Sequence, residues 1–436
     1  MSLMRLCIKG LQRTYTSNYS LITKRSIYHA LQKSLKHSNW SAKGITHRLR
    51  SVLLITPTTQ TGSVTSRFVS AVNKKSNKYV GSWLLICGGM VFVAVALGGI
   101  TRLTESGLSM VTWKFAGEKM PSNDVQWLEE FDKYKQYPEY KIMNKEMTLD
   151  EFKRIWWMEY AHRMWGRLIG ATFVIPAAYF WINGMLKSEM KIKVVALGTL
   201  IGLQGLMGWY MVKSGLEDRF HDPMDVPRVS QYRLAAHLGL ALAIFSGFLY
   251  NALDHLVPAR STSYDLFGKK NLSTKTLRKF SKFKGLVNMS MGLVFITAIS
   301  GAFVAGLDAG LIYNTFPKMA NKWIPDDILA LTPTLRNFTE NPTTVQFNHR
   351  LLGISTVTMI TIIGLMSRKL KLPGKGSKAM IAVILASYLQ VALGITTLLN
   401  HVPLPLAASH QSGSLLLLSS VIWLCHELKY VRKFIK

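Results

Sequence analysis

Along most of its length the chain alternates long apolar runs with shorter polar, mostly basic connections. The runs at 83–100, 156–183, 194–212, 234–253, 285–305, 345–366, 379–399 and 404–424 are each about the length that crosses the hydrocarbon of a bilayer. Inside lipid no water satisfies backbone N–H and C=O groups, so spanning runs of this kind are helices. The pattern therefore predicts an all-α polytopic membrane protein with eight transmembrane helices.

Charge placement orients those helices. The first 80 residues hold fourteen Lys or Arg and no acid, and the first carboxylate is Glu105. Their mixture of Arg, Ser, Thr and hydrophobic residues is that of a mitochondrial presequence; the other reading is a basic tail on a membrane surface. The turn with Lys187, Lys191 and Lys193, the segment 255–284, the loop with Arg368, Lys369 and Lys371, and the tail from Lys429 to Lys436 are basic as well. In contrast, 104–155 carries ten acids. This is the positive-inside pattern with both mature termini inside, which in a mitochondrial inner membrane means the matrix. The net charge of +30 is thus leader and loop charge, and nucleic-acid binding is not implied. Cys7, Cys87 and Cys425 are too dispersed in sequence for a loop disulfide or a CxxC metal site.

The orientation has a chemical consequence. Every even-numbered span starts on the outer side and carries a histidine in its first turns: His162, His237, His349 and His410. The surrounding phrases repeat: EYAHRMWG and QFNHRLLG are 187 positions apart, and LQGLMG is echoed by LQVALG. The chain reads as two pseudo-symmetric four-helix bundles in parallel orientation. One helical turn after each histidine stand Gly166, Ala241, Gly353 and Ser414, all small. Small residues on that face clear room for a flat macrocycle, and neutral imidazole is an axial haem ligand. Packing histidines, a zinc site and a proton relay are the other readings; zinc usually takes three or four ligands around one ion. Arg163 and Arg350 follow their histidines and either pair with haem propionates or extend to lipid headgroups.

Three residues before the first histidine stands Glu159, on the same helical face. At the matching places in the other sites are Gln346, Leu234 and Ala407. An ionisable carboxyl at membrane depth is a functional-site hypothesis, suited to moving a proton or stabilising a developing cation. A helix ion pair between Glu159 and Arg163 is the plainer reading. The outer loop segment QWLEEFDKYKQYPEY is either an amphipathic cover over the outer site or an ordinary surface loop.

Together, GGITRLTESGLSMVTWK, EYAHRMWGR, QYRLAAHLG, QFNHRLLG and LAASHQSGS resemble haem A synthase of the mitochondrial type, over about residues 80 to 425. The resemblance implies a pseudo-twofold inner-membrane enzyme that oxidises the C8 methyl of haem O to a formyl group, giving haem A for cytochrome c oxidase. By that resemblance His349 and His410 hold a resident haem b, His162 and His237 hold the substrate haem O, and Glu159 is the catalytic carboxylate. It also implies electrons from a mitochondrial ferredoxin and its reductase, substrate from haem O synthase, contact with cytochrome c oxidase assembly factors, and self-association. The expected organisation is a presequence and tail at 1–80, an N-terminal unit at 81–254, a basic matrix loop at 255–284, a C-terminal unit at 285–428 and a basic tail at 429–436. Some bacterial members carry a cysteine pair in the first outer loop, but 102–155 has no cysteine. A dihaem electron carrier and a transporter with an internal repeat are the competing functions.

Overall fold

A computed structural model describes residues 61–217, 226–257, 274–372 and 374–429. The chain divides into two compact units, 1–68 and 69–436. Of the first unit only 61–68 is described, as helix, and the second unit holds the rest of the described residues. The expected presequence falls mainly on 1–60 and so lies outside the described residues.

Eight long helices carry the fold: α1 Thr61–Leu103, α2 Leu149–Ile182, α3 Ser188–Leu216, α4 Gln231–Leu256, α5 Thr274–Gly306, α6 Pro342–Leu370, α7 Gly374–Leu399 and α8 Leu404–Glu427. No strand occurs among the described residues. Among the described residues seven helices are long and apolar enough to cross a membrane: Lys78–Leu103 within α1, Arg278–Gly306 within α5, and α2, α3, α4, α6 and α7 in full. The eighth expected span forms α8, 24 residues long, but falls outside that set. Its run SHQSGS at 409–414 dilutes the apolar pattern, and residues of that run face the protein's interior cavity rather than lipid. The basic segment expected as a loop at 255–284 is helical from Thr274, so Arg278, Lys279, Lys282 and Lys284 ride on the first turns of α5.

Local chemistry sets the helix starts that matter for function. Thr148 caps α2 with its side chain on the Glu151 amide, while the Glu151 carboxylate accepts from the Thr148 amide at 2.8 Å. This reciprocal capping box begins the helix well before the apolar run, so Glu159 and His162 sit on an established helix. Asn341 caps α6 by accepting from the amides of Thr343 and Thr344, and Pro342 occupies the first turn, where its missing N–H is harmless. After α5 the chain turns through Asp308 at φ 51°, a left-handed conformation that Asp tolerates. The Asp308 carboxylate accepts from Arg102 at 2.7 Å and Arg228 at 3.2 Å, joining the end of α1 and the start of α4 to this turn.

Neighbouring helices pack in sequence, α2 on α3, α3 on α4, α5 on α6, α6 on α7 and α7 on α8; α4, α5 and α8 also pack on one another. Lipid tails are as apolar as Leu, so packing and hydrogen bonds rather than water exclusion hold such helices together. Trp83 of α1 illustrates it: the indole stacks on Phe173 at 5.2 Å and its Nε1–H donates to the Thr172 carbonyl at 3.0 Å. At the same end of the helices Asp254 of α4 accepts from His426 at 3.0 Å and Lys429 at 2.7 Å, closing α4 against the end of α8.

A second buried cluster lies outside the spans. Trp127, Phe131 and Tyr134 from the helix Asp124–Lys135 pack with Met110 and with Phe152 and Trp156 of α2. Trp83→Ala is expected to lower stability by about 3–5 kcal/mol, because it empties a stacked site and leaves the Thr172 carbonyl without its donor. Thermal unfolding of detergent-solubilised protein measures this, and a midpoint equal to wild type would count against the packing role.

Candidate functional site

All eight long helices contribute to one cavity of about 1930 Å³, roughly twice the upper end of ordinary small-molecule pockets. His162, His237, His349 and His410 all line it, together with Glu159, Arg163, Gln346 and Arg350. The four histidines expected at matched depth are thus brought together around one space. The imidazoles of His349 and His410 lie with ring centres 6.4 Å apart and planes at 89°.

Each imidazole rests against a glycine of the preceding helix. A Cβ at Gly98 would stand 3.0 Å from Cε1 of His162, at Gly208 3.0 Å from His237, at Gly301 3.4 Å from His349 and at Gly394 2.8 Å from His410. A Cβ at Gly394 would displace the ring, at Gly98 and Gly208 the ring would have to give by a few tenths of an ångström, and at Gly301 it would just touch, so the odd-numbered helices approach the rings closely at all four points. One turn beyond the histidines of α2 and α6, Gly166 and Gly353 meet nothing within 4 Å, and both face the cavity. The open strip inferred from the sequence is present on both helices.

The outer ends of α2 and α6 are fastened to the preceding loops by matching pairs. Glu159 is 2% exposed; its Oε1 accepts from Arg163 at 2.5 Å, and its Oε2 accepts from Ser109 Oγ and the Met110 amide, each at 2.7 Å. Arg163 donates onward to the carbonyls of Met110 at 2.7 Å and Thr112 at 2.8 Å. In α6, Arg350 donates to Gln346 Oε1 at 3.0 Å and to the Tyr313 carbonyl at 2.8 Å. Gln346 donates to the Ala309 carbonyl at 2.7 Å. The helix ion pair read from sequence therefore exists, but it is part of a larger clamp with opposite polarity in the two halves. Both arginines donate to loop carbonyls; the difference is that Glu159 accepts from its loop, whereas Gln346 donates to its own.

Residues 81–422 match the model of the COX15-CtaA family, described as cytochrome oxidase assembly protein. The chain belongs to the COX15-CtaA family. Among its relatives, "Heme A synthase COX15" of Mus musculus is 53% identical over 366 residues, covering 84% of this chain and 86% of the relative. The protein of the same name from Arabidopsis thaliana is 41% identical over 426 residues, covering 96% and 90%. "Heme A synthase" of Nitrosospira multiformis is 45% identical over 356 residues, covering 81% and 94%.

Several groups of this COX15-CtaA chain were not singled out from its sequence. Gln204 and Gln390 each place Nε2 within hydrogen-bond distance of an imidazole Nδ1, at 3.2 Å for His237 and 3.1 Å for His410. The echo LQGLMG/LQVALG contained this signal, since each glutamine precedes by four the glycine that backs the same ring. Ser300 Oγ lies 2.7 Å from Nδ1 of His349. Tyr137, Glu139 and Asn144 of the outer loop line the cavity, so QWLEEFDKYKQYPEY forms a cover with its own aromatic core.

Glu139 within that cover is buried and accepts from Tyr134 at 3.0 Å. Burial pushes its carboxyl up to about 8, against the Tyr134 hydrogen bond and with help from the nearby Glu159 charge. A carboxyl whose folded pKa exceeds its unfolded value of 4.5 contributes stability at low pH that declines as pH rises toward about 8. Between those limits wild type is expected to lose thermal stability as pH rises, and Glu139→Gln to show a flatter profile. Identical profiles from thermal unfolding at stepped pH would sink this.

Proposed function

We propose that the protein is a haem A synthase of the mitochondrial inner membrane. It takes up haem O as substrate and oxidises the C8 methyl to a formyl group, giving haem A for cytochrome c oxidase. The observation that carries the reading is one cavity lined by two histidine pairs, with a buried carboxylate, Glu159, beside only one of them.

Its residues fit two haems. His349 and His410, with ring centres 6.4 Å apart across the cavity, would hold a resident haem b. Open space over Gly166 and Gly353 supports a flat macrocycle on each side. His162 and His237 then hold the substrate haem O. When bound, haem b supplies one-electron redox chemistry beside the substrate.

The chain's own contribution at the reacting half is electrostatic. Arg163, Ser109 and the Met110 amide hold the Glu159 carboxyl in a fixed position through three donors, so that its burial is compensated by hydrogen bonds. There it can accept a proton released from the C8 substituent or stabilise positive charge developing near it. Gln346 keeps the clamp but carries no charge, in keeping with a site that retains its haem unchanged. Arg163 spends its donors on the clamp; Arg350 keeps a buried Nε with no partner among the described residues, which supports Arg350 as a propionate contact.

The reading includes eight spans arranged as two pseudo-symmetric four-helix bundles, both mature termini in the matrix and the haem sites toward the intermembrane space. It also includes electrons from a mitochondrial ferredoxin and its reductase, haem O delivered by haem O synthase, hand-over to cytochrome c oxidase assembly factors, and self-association. A dihaem electron carrier gives Glu159 no role, and the mouse, Arabidopsis and Nitrosospira relatives, all heme A synthases by name, do not support it.

Glu159→Gln is expected to leave haem b bound and to lower haem A formation by about 10²-fold or more, read by chromatography of haems extracted from membranes. Ser109→Ala loosens the same clamp while keeping the carboxylate, and is expected to retain far more haem A than Glu159→Gln. Wild-type haem A in Glu159→Gln would refute the catalytic role. His349→Ala is expected to strip haem b from purified protein, and undiminished haem b would refute the ligand assignment.

A further inference from the structure

The four imidazoles share one setting, so the exception among them is informative. His410 and His349 each have a polar group of the preceding helix at Nδ1, Gln390 and Ser300, and Gln204 Nε2 lies within reach of both ring nitrogens of His237, 3.2 Å from Nδ1 and 3.3 Å from Nε2. Nδ1 of His162 is buried without a hydrogen-bond partner among the described residues. The register shows what is missing. Ser300 immediately precedes Gly301, the glycine against His349, and Leu97 immediately precedes Gly98, the glycine against His162. A hydroxyl in one half is replaced by hydrocarbon in the other.

The Ser300 contact also favours one tautomer. Ser300 Oγ lies 2.7 Å from the Thr297 carbonyl and 2.7 Å from His349 Nδ1. With the hydroxyl hydrogen on the Thr297 carbonyl, the Ser300 oxygen accepts from Nδ1–H. That arrangement puts the His349 proton on Nδ1 and keeps the Nε2 lone pair for a metal. The glutamines differ from Ser300. Each donates from Nε2 to the carbonyl of its own histidine, at 3.1 Å for His237 and 2.8 Å for His410, while Oε1 of both is buried and unpartnered among the described residues. A turned amide would set its Oε1 against that same carbonyl, acceptor to acceptor, so both glutamines stay donors here. The Leu97 side chain has no polar atom to offer His162.

Resting on the two-haem reading, we propose that Ser300 is the positioning residue that makes the C-terminal site retentive, and that Leu97 makes His162 the releasable ligand of the N-terminal site. A hydrogen bond to the nitrogen that does not bind the metal fixes ring orientation and raises ligand basicity. Without one, His162 lacks that added basicity and that fixing of its ring, and binds more weakly. That difference suits the two roles: a resident haem has to stay, whereas a substrate has to enter and its product has to leave through the same pair of histidines.

The test uses the full-length protein purified in detergent, with transfer of haem to excess apomyoglobin as the readout. Ser300→Ala is expected to release haem b about tenfold faster or more and to raise its midpoint potential, since the imidazole loses electron donation. Ser300→Thr, which keeps the hydroxyl, is expected to restore both. Leu97→Ser is expected to slow release from the N-terminal pair about tenfold, a gain that damage to the fold does not produce. Wild-type release rate and potential in Ser300→Ala, with His349→Ala still losing haem b, would overturn the role of Ser300. Wild-type release from the N-terminal pair in Leu97→Ser would overturn that of Leu97. Full haem b in His349→Ala would instead overturn the haem reading itself.

Discussion

The contact between a glycine on one helix and an imidazole on the next is what the rest of the site depends on. It occurs four times, at Gly98, Gly208, Gly301 and Gly394. In lipid, helices gain little from leaving a solvent as apolar as themselves, so close backbone approach and buried hydrogen bonds decide which faces meet. At these points the recess in the odd helix accepts the ring of the even helix, and both helices are brought into register by it. The ring edge that remains is turned to a shared cavity, and Gly166 and Gly353 keep the neighbouring surface open. A side chain in place of Gly394 would shift the ring that it backs, and at Gly98 or Gly208 it would press on one.

The second constraint is that every polar group at this depth needs a partner. The clamps at Glu159–Arg163 and Gln346–Arg350 meet it in opposite ways. Glu159 takes donors from the loop at 109–112 and Gln346 gives one to the loop at 309–313, while Arg163 and Arg350 donate to carbonyls of both loops. The matching clamps thus place a carboxyl beside His162 and an amide beside His349. The same logic distinguishes Ser300 from Leu97: one hydroxyl, set against the helix carbonyl of Thr297, orders an imidazole that its counterpart leaves without a partner.

Beyond the spans, the outer segment is more than a connection. Its aromatic cluster docks on the first turns of α2, the stretch that the Thr148 capping box sets in place. Glu139 and Asn144 are thereby carried to the cavity wall. Asp308, reached by Arg102 and Arg228, ties the corresponding turn after α5 to helices α1 and α4. Loop and helix ends are therefore coupled around the cavity's outer side.

The chain's apolar period, its basic loops and the doubled His-Arg-x-x-Gly phrase determine an all-helical membrane body with four histidines and one distinctive carboxyl. These features are local or periodic, and so they are legible residue by residue. The eighth helix shows the limit: SHQSGS at 409–414 reads as a weakened span because hydropathy records composition but not which face meets the cavity. What the tertiary structure alone decided are the partners across helices. That Gln204 and Gln390 meet an imidazole, that Ser300 has Leu97 as its counterpart, and that Glu159 is held by Ser109 and Met110 depend on axial register between helices far apart in sequence. Hydrophobic period does not encode that register. Close packing at the glycines and the need to pair buried polar groups do.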